Sequence, residues 1–130
     1  MILAIDVGNT HIVMGCIEDG TISCITRIVT NPLETESEYA IKIRQILDFE
    51  GISWGNFEGA IISSVVPAVT VTLRRAVERL TGRKPIVVGA GIKTGLNIRL
   101  DDPSEMGADL VAGAVGAIAQ YGAPLIVLDM

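Results

Sequence analysis

The sequence predicts an α/β domain, a mixed sheet flanked by helices, and three observations predict it. Short apolar runs and segments of helical period follow one another in the order β, β, β, α, β, α, β, α, β. Asp19-Gly20 between two apolar runs marks a two-residue hairpin turn, so at least one pair of strands is antiparallel. Met1–Ile5 is apolar without interruption, as a strand buried on both faces is, and it ends in Asp6, a charge such a strand cannot bury cheaply. Asp6 is therefore expected at the strand end, facing a solvated cleft.

The elements follow in order. Strands are expected at 2–6, 11–18 and 21–29, the last alternating less cleanly through Ile22, Ile25, Ile28 and Val29 before Asn31-Pro32 breaks the sheet. Thr35-Glu36-Ser37-Glu38 offers a capping box, and Tyr39, Ile43, Ile46 and Leu47 recur at helical spacing, which predicts a helix over about 35–50 closed by Gly51. Trp54 and Phe57 lie in the connection and are expected to cover an edge of the core. Gly59–Val65 reads as a central strand with a serine pair at its end. Pro67 starts a helix of about 67–81 that stops at Gly82, followed by a short strand at 86–88 and a loop at 89–91. Asp102-Pro103 with Glu105 is a helix-start signal. Asp109 precedes a run of small apolar residues, Val111–Ala119, expected to be a helix that packs closely on a neighbour. Leu125–Leu128 closes the series as a strand ending, like the first, in an acid, Asp129.

Composition narrows the function classes. The 130 residues are 49% hydrophobic, ample for a core, and their apolar runs fall well short of the ~20 residues a membrane-spanning helix needs. With no basic leader ahead of the first strand, a cytoplasmic protein without a membrane partner is expected. The net charge is −5, no Lys/Arg run exceeds two residues and aromatics make up 4%, so no nucleic-acid partner is expected. If Asp19-Gly20 is the whole turn, Cys16 faces Ser23 and Gly15 faces Cys24. The two thiols then lie on opposite faces, and both are expected to be reduced. His11 is the sole histidine, which leaves a catalytic triad without partners.

The chemistry concentrates in two places. In Asp6-Val7-Gly8-Asn9-Thr10 a glycine lets the backbone approach a ligand, Asn9 tolerates unusual φ, and Thr10 offers a hydroxyl, as a tight phosphate-contacting turn requires. An ordinary hairpin would use the same residues. In Gly107-Ala108-Asp109 an acid stands in the first turn of a helix, where it complements the dipole by about 0.3–1 kcal/mol. As a plain dipole partner or as a base, the residue type is the same.

Asp6–Thr10, Ser63-Ser64-Val65-Val66-Pro67, Lys93-Thr94-Gly95-Leu96-Asn97-Ile98 and Gly107-Ala108-Asp109, in that order, resemble type III pantothenate kinase, a member of the actin-like ATPase (ribonuclease H-like) superfold. The resemblance covers the whole chain. It implies an N-terminal actin-like half-domain over 1–130, and beyond residue 130 a second phosphate loop continuing from Asp129 and a second domain of similar fold. It implies ATP-dependent phosphorylation of pantothenate to 4'-phosphopantothenate, in coenzyme A biosynthesis, by a homodimer. ATP would be held by Asp6, Val7, Gly8, Asn9, Thr10, His11, Ile12 and Val13, and Mg²⁺ by Asp6, directly or through water. Pantothenate would meet Gly107, Ala108, Asp109 and Leu110, with Asp109 taking the hydroxyl proton. A monovalent cation, K⁺ or NH₄⁺, would lie at Asp129.

Two positions depart from the family pattern: Leu110 stands where many members have a substrate-binding Arg, and Leu100 where many have Tyr. A lost charge-assisted bond of roughly 1.5–3 kcal/mol would weaken substrate binding about ten- to a hundredfold. On sequence alone a non-catalytic relative acting as an accessory transcription factor, and another actin-like ATPase, stay open beside the kinase.

Overall fold

The computed structural model describes residues 1–89 and 92–128. Five strands, β1 (Ile2–Val7), β2 (His11–Glu18), β3 (Thr21–Val29), β4 (Gly59–Ser64) and β5 (Ile86–Val87), form one sheet in the order β3-β2-β1-β4-β5. The β1–β2 and β2–β3 pairs are antiparallel, while β1–β4 and β4–β5 are parallel. Helices α1 (Glu36–Phe49), α2 (Pro67–Thr81) and α3 (Ala108–Tyr121) supply the connections. This mixed sheet with three helices is the actin-like half-domain that the motifs imply.

Strand alternation divides the sheet into two unlike faces. Leu3, Ile5, Val7, Ile12, Met14, Cys16 and Ile62 point to one side, where Tyr39, Ile43 and Leu47 of α1 and Val69, Leu73 and Val77 of α2 bury them completely or nearly so. Both helices are there because their apolar stripes match that face. Thr35 caps α1 in a complete capping box: its Oγ accepts from the Glu38 N–H, and its own N–H donates to Glu38 Oε2 at 2.7 Å. Pro67 opens α2, and left-handed Gly82 closes it. Phe57 completes the core edge, with Trp54 tilted against it at 5.3 Å between ring centres.

The second face carries Ala4, Asp6, Val13, Gly15, Ile61 and Ser63, and α3 lies over part of it. It is less covered: Ile22 and Ile25 of β3 are 57% and 67% exposed.

Five expectations are corrected. β1 is buried on one face only, since Leu3, Ile5 and Val7 enter the core while Ile2 is 37% exposed and Asp6 is exposed. The β2–β3 register shifts by one between Cys16 and Ile17, so Cys16 opposes Cys24 rather than Ser23, and the two free thiols share a face. Ser23 is the extra residue of this bulge, and its hydroxyl donates to the Cys16 carbonyl at 3.1 Å. Leu125–Leu128 is not a strand: a strand exists by pairing, the run has no paired neighbour among the described residues, and Ile126 and Leu128 stand exposed. Asp102 caps only a single 3-10 turn, Pro103–Glu105, because extended backbone at Met106 and Gly107 separates it from α3. The small residues of α3 do not all pack closely, since a Cβ on Gly113 or Gly116 would meet no atom within 4 Å. Ala90, Gly91, Asp129 and Met130 lie outside the described residues.

Candidate active site

The first candidate loop is the β1–β2 turn. Gly8 N–H donates to the His11 carbonyl at 2.9 Å, closing the turn over Asn9 and Thr10, and a Cβ on Gly8 would stand 3.3 Å from that carbonyl oxygen. The turn is anchored by Thr30, the residue after β3, whose hydroxyl donates to the Gly8 carbonyl at 2.7 Å and whose N–H donates to the Thr10 carbonyl at 2.9 Å. Asn9 and Thr10 keep exposed side chains on a braced backbone, as a ligand-contacting turn requires. Asn9 does not use left-handed φ; among the described residues the non-glycine residue that does is Asp19, at φ 50°, beside Gly20 in the β2–β3 turn.

Alternation decides what each residue of this segment can offer. Val7 and Ile12 bury their side chains in the core, so any contact they make with a ligand is through the backbone. Asp6 and Val13, paired across β1–β2, stand on the second face and line an open cleft of about 500 Å³. His11 lines a different cavity, with Arg27 and Lys42.

Asp109 reaches the same cleft from the other side. It is the second residue of α3, and Ala112 and Gly113, one turn on, line the cleft with it. Its Oδ1 accepts from the Leu110 N–H at 2.8 Å. A methyl group on Gly107 would collide with that same oxygen, so the glycine is needed for the carboxylate to sit where it does. Gly107 and Ala108 line a neighbouring cavity of about 660 Å³, whose wall includes Thr94, Leu96 and Ile98 of the 92–98 segment. The start of α3 thus separates two spaces, with Asp109 on one and Gly107-Ala108 on the other. Leu110 is 42% exposed and lines neither, and Leu100 is likewise turned to the surface.

One residue of the site was not among the sequence candidates. Ser63 of β4 is the parallel register partner of Asp6 and lines the same cleft. The serine pair was visible at a strand end, but which serine faces Asp6 depends on pairing across the sheet.

Among the described residues, no three or more His, Cys, Asp or Glu side chains are grouped to hold a metal. Mg²⁺ makes a smaller demand, keeping several waters and taking one or two carboxylates beside substrate phosphates. Asp6, exposed at the cleft floor, fits that role. No helix among the described residues is long and apolar enough to cross a membrane.

The comparisons bear on the same segments. The family model for type III pantothenate kinase matches residues 2–130. A curated relative, the type III pantothenate kinase of Bacillus cytotoxicus, is 47% identical over 129 residues, which cover 99% of this chain and 49% of the relative. The chain therefore spans about half the length of the relative it matches. With four motifs in order, the matching half-domain fold and a family match from residue 2 to residue 130, the chain belongs to the type III pantothenate kinase family.

Proposed function

We propose that this chain supplies the first half of an ATP-dependent pantothenate kinase, which phosphorylates the substrate's primary hydroxyl to give 4'-phosphopantothenate in coenzyme A biosynthesis. The observation that carries the proposal is the convergence of Asp6, from the end of β1, and Asp109, from the start of α3, on one cleft beside a braced glycine turn. Phosphoryl transfer asks for positioning and charge neutralisation more than for covalent help from the protein. The hydroxyl oxygen forms a bond to the γ-phosphorus, the bond to the bridging oxygen breaks, ADP leaves, and the hydroxyl proton passes to Asp109. The backbone N–H groups of Asn9 and Thr10 would meet the phosphates, that of Gly8 being committed to the His11 carbonyl. Mg²⁺ bound at Asp6 would neutralise phosphate charge during transfer. The cavity beside Gly107-Ala108 would receive the acceptor, bringing its hydroxyl to the start of α3.

On this reading the protein acts as a homodimer, a second domain carries the rest of the nucleotide cleft, and Asp129 helps bind K⁺ or NH₄⁺. The kinase names of the family model and of the relative support it, and nothing in the fold favours the transcription-factor alternative.

Asp109→Asn in the full-length protein is the test. If Asp109 is the base, kcat falls by about 10²–10⁴ while the melting temperature and the affinity for an ATP analogue stay close to wild type. A variant that melts lower yet turns over normally removes Asp109 from the mechanism and leaves it as a partner of the helix dipole.

A further inference from the structure

Ser63 carries a hydroxyl that the fold does not use. The residue is 7% exposed, and its Oγ is buried without a hydrogen-bond partner among the described residues. Ser64, one residue along and on the alternate side of the strand, is the contrast: its Oγ accepts from the Val66 N–H at 3.1 Å and from the Thr70 hydroxyl at 2.7 Å. The second serine ties the end of β4 to the first turn of α2. The first has no such task, and an alanine would fill its place without leaving a buried hydroxyl unsatisfied.

Its position says what the hydroxyl is for. Asp6 and Ser63 are register partners on adjacent parallel strands, so their side chains rise on the same face, and Asp109 stands across the cleft they line. An anion entering between two carboxylates needs a donor, and Ser63 is the neutral one at the floor. We propose that the Ser63 hydroxyl is a ligand-binding donor, completing its hydrogen bond on a phosphoryl oxygen of a nucleotide held between Asp6 and Asp109. The inference rests on the kinase reading above. The acceptor alcohol is the poorer partner, because a hydrogen bond donated to its oxygen would draw electron density from the attacking nucleophile, whereas a phosphoryl oxygen gains from the same bond.

The experiment uses full-length protein with Ser63→Ala and Ser63→Cys, the second keeping the side-chain volume but only a weak donor. The probe is a non-hydrolysable ATP analogue with Mg²⁺, titrated calorimetrically, with pantothenate affinity and thermal melting measured alongside. Both variants are expected to bind the analogue about tenfold or more weakly, the scale of one hydrogen bond to a charged group. Pantothenate affinity stays unchanged, and the ligand-free protein melts no lower than wild type. Wild-type affinity for the analogue in either variant would overturn the inference and leave the kinase reading standing. A fall in melting temperature with affinity unchanged would do the same, by showing that the hydroxyl serves the fold. Failure of the wild-type protein to bind the analogue would overturn the kinase reading, and this inference with it.

Discussion

Gly107 sets where Asp109 can place its carboxylate, because a side chain there would take the space of Oδ1. Gly107→Ala is therefore expected to leave the fold intact, since the displaced atom is the free end of a side chain, and yet to misdirect the proposed base. In full-length protein kcat should fall by about 10²-fold, the scale of a misplacement of roughly 1 Å, with the melting temperature nearly constant. Equal kcat would show that the carboxylate is free to move. Asp6 and Asp109 stand out in the sequence as candidates, because an acid closing an apolar run and an acid after Gly-x at a helix start are local patterns. Ser63 does not. Its interest lies in what it lacks, a partner, and only the packed sheet can show that.

The capping box of α1 is the element whose chemistry reads most directly from sequence, since Thr35 and Glu38 meet within one turn. Hydrogen bonds from the Thr35 N–H and hydroxyl hold the Glu38 carboxyl below its ordinary pKa. A carboxyl whose folded pKa is depressed contributes stability that is present above its unfolded value and is lost as pH falls through the folded one. Thermal melts run from neutral pH into the acid range should show this loss below the usual glutamate pKa of about 4.3. Glu38→Gln, which keeps a capping acceptor without a titrating proton, should lessen the slope there; an unchanged slope would assign the acid sensitivity to other carboxylates. The β2–β3 hairpin shows the opposite case. Its Asp19-Gly20 turn was legible, but the bulge at Ser23 was not, because an extra residue in a strand leaves no compositional trace. That one residue brings Cys24 opposite Cys16, whose thiol burial pushes up to about 11. Leu125–Leu128 failed as a strand for a related reason: apolar content announces a wish to pair, and pairing needs a neighbour.

On the kinase reading, the molecule keeps stability and chemistry on opposite sides of one sheet. The face under α1 and α2 holds the continuous core, so residues 1–130 alone are expected to melt cooperatively as a folded domain. The other face, with its open cleft, is only part of a nucleotide site on the kinase reading. The isolated 1–130 chain should accordingly bind an ATP analogue far more weakly than the full-length protein does. A micromolar constant for the fragment, measured by calorimetry, would overturn the picture of a cleft completed by a second domain. The division also reaches down to single steps along β1, where Leu3, Ile5 and Val7 belong to the core and Ala4 and Asp6 to the cleft. On the kinase reading, a substitution at Leu3, Ile5 or Val7 is answered by stability and one at Ala4 or Asp6 by ligand affinity, so parity along a single strand separates the two readouts.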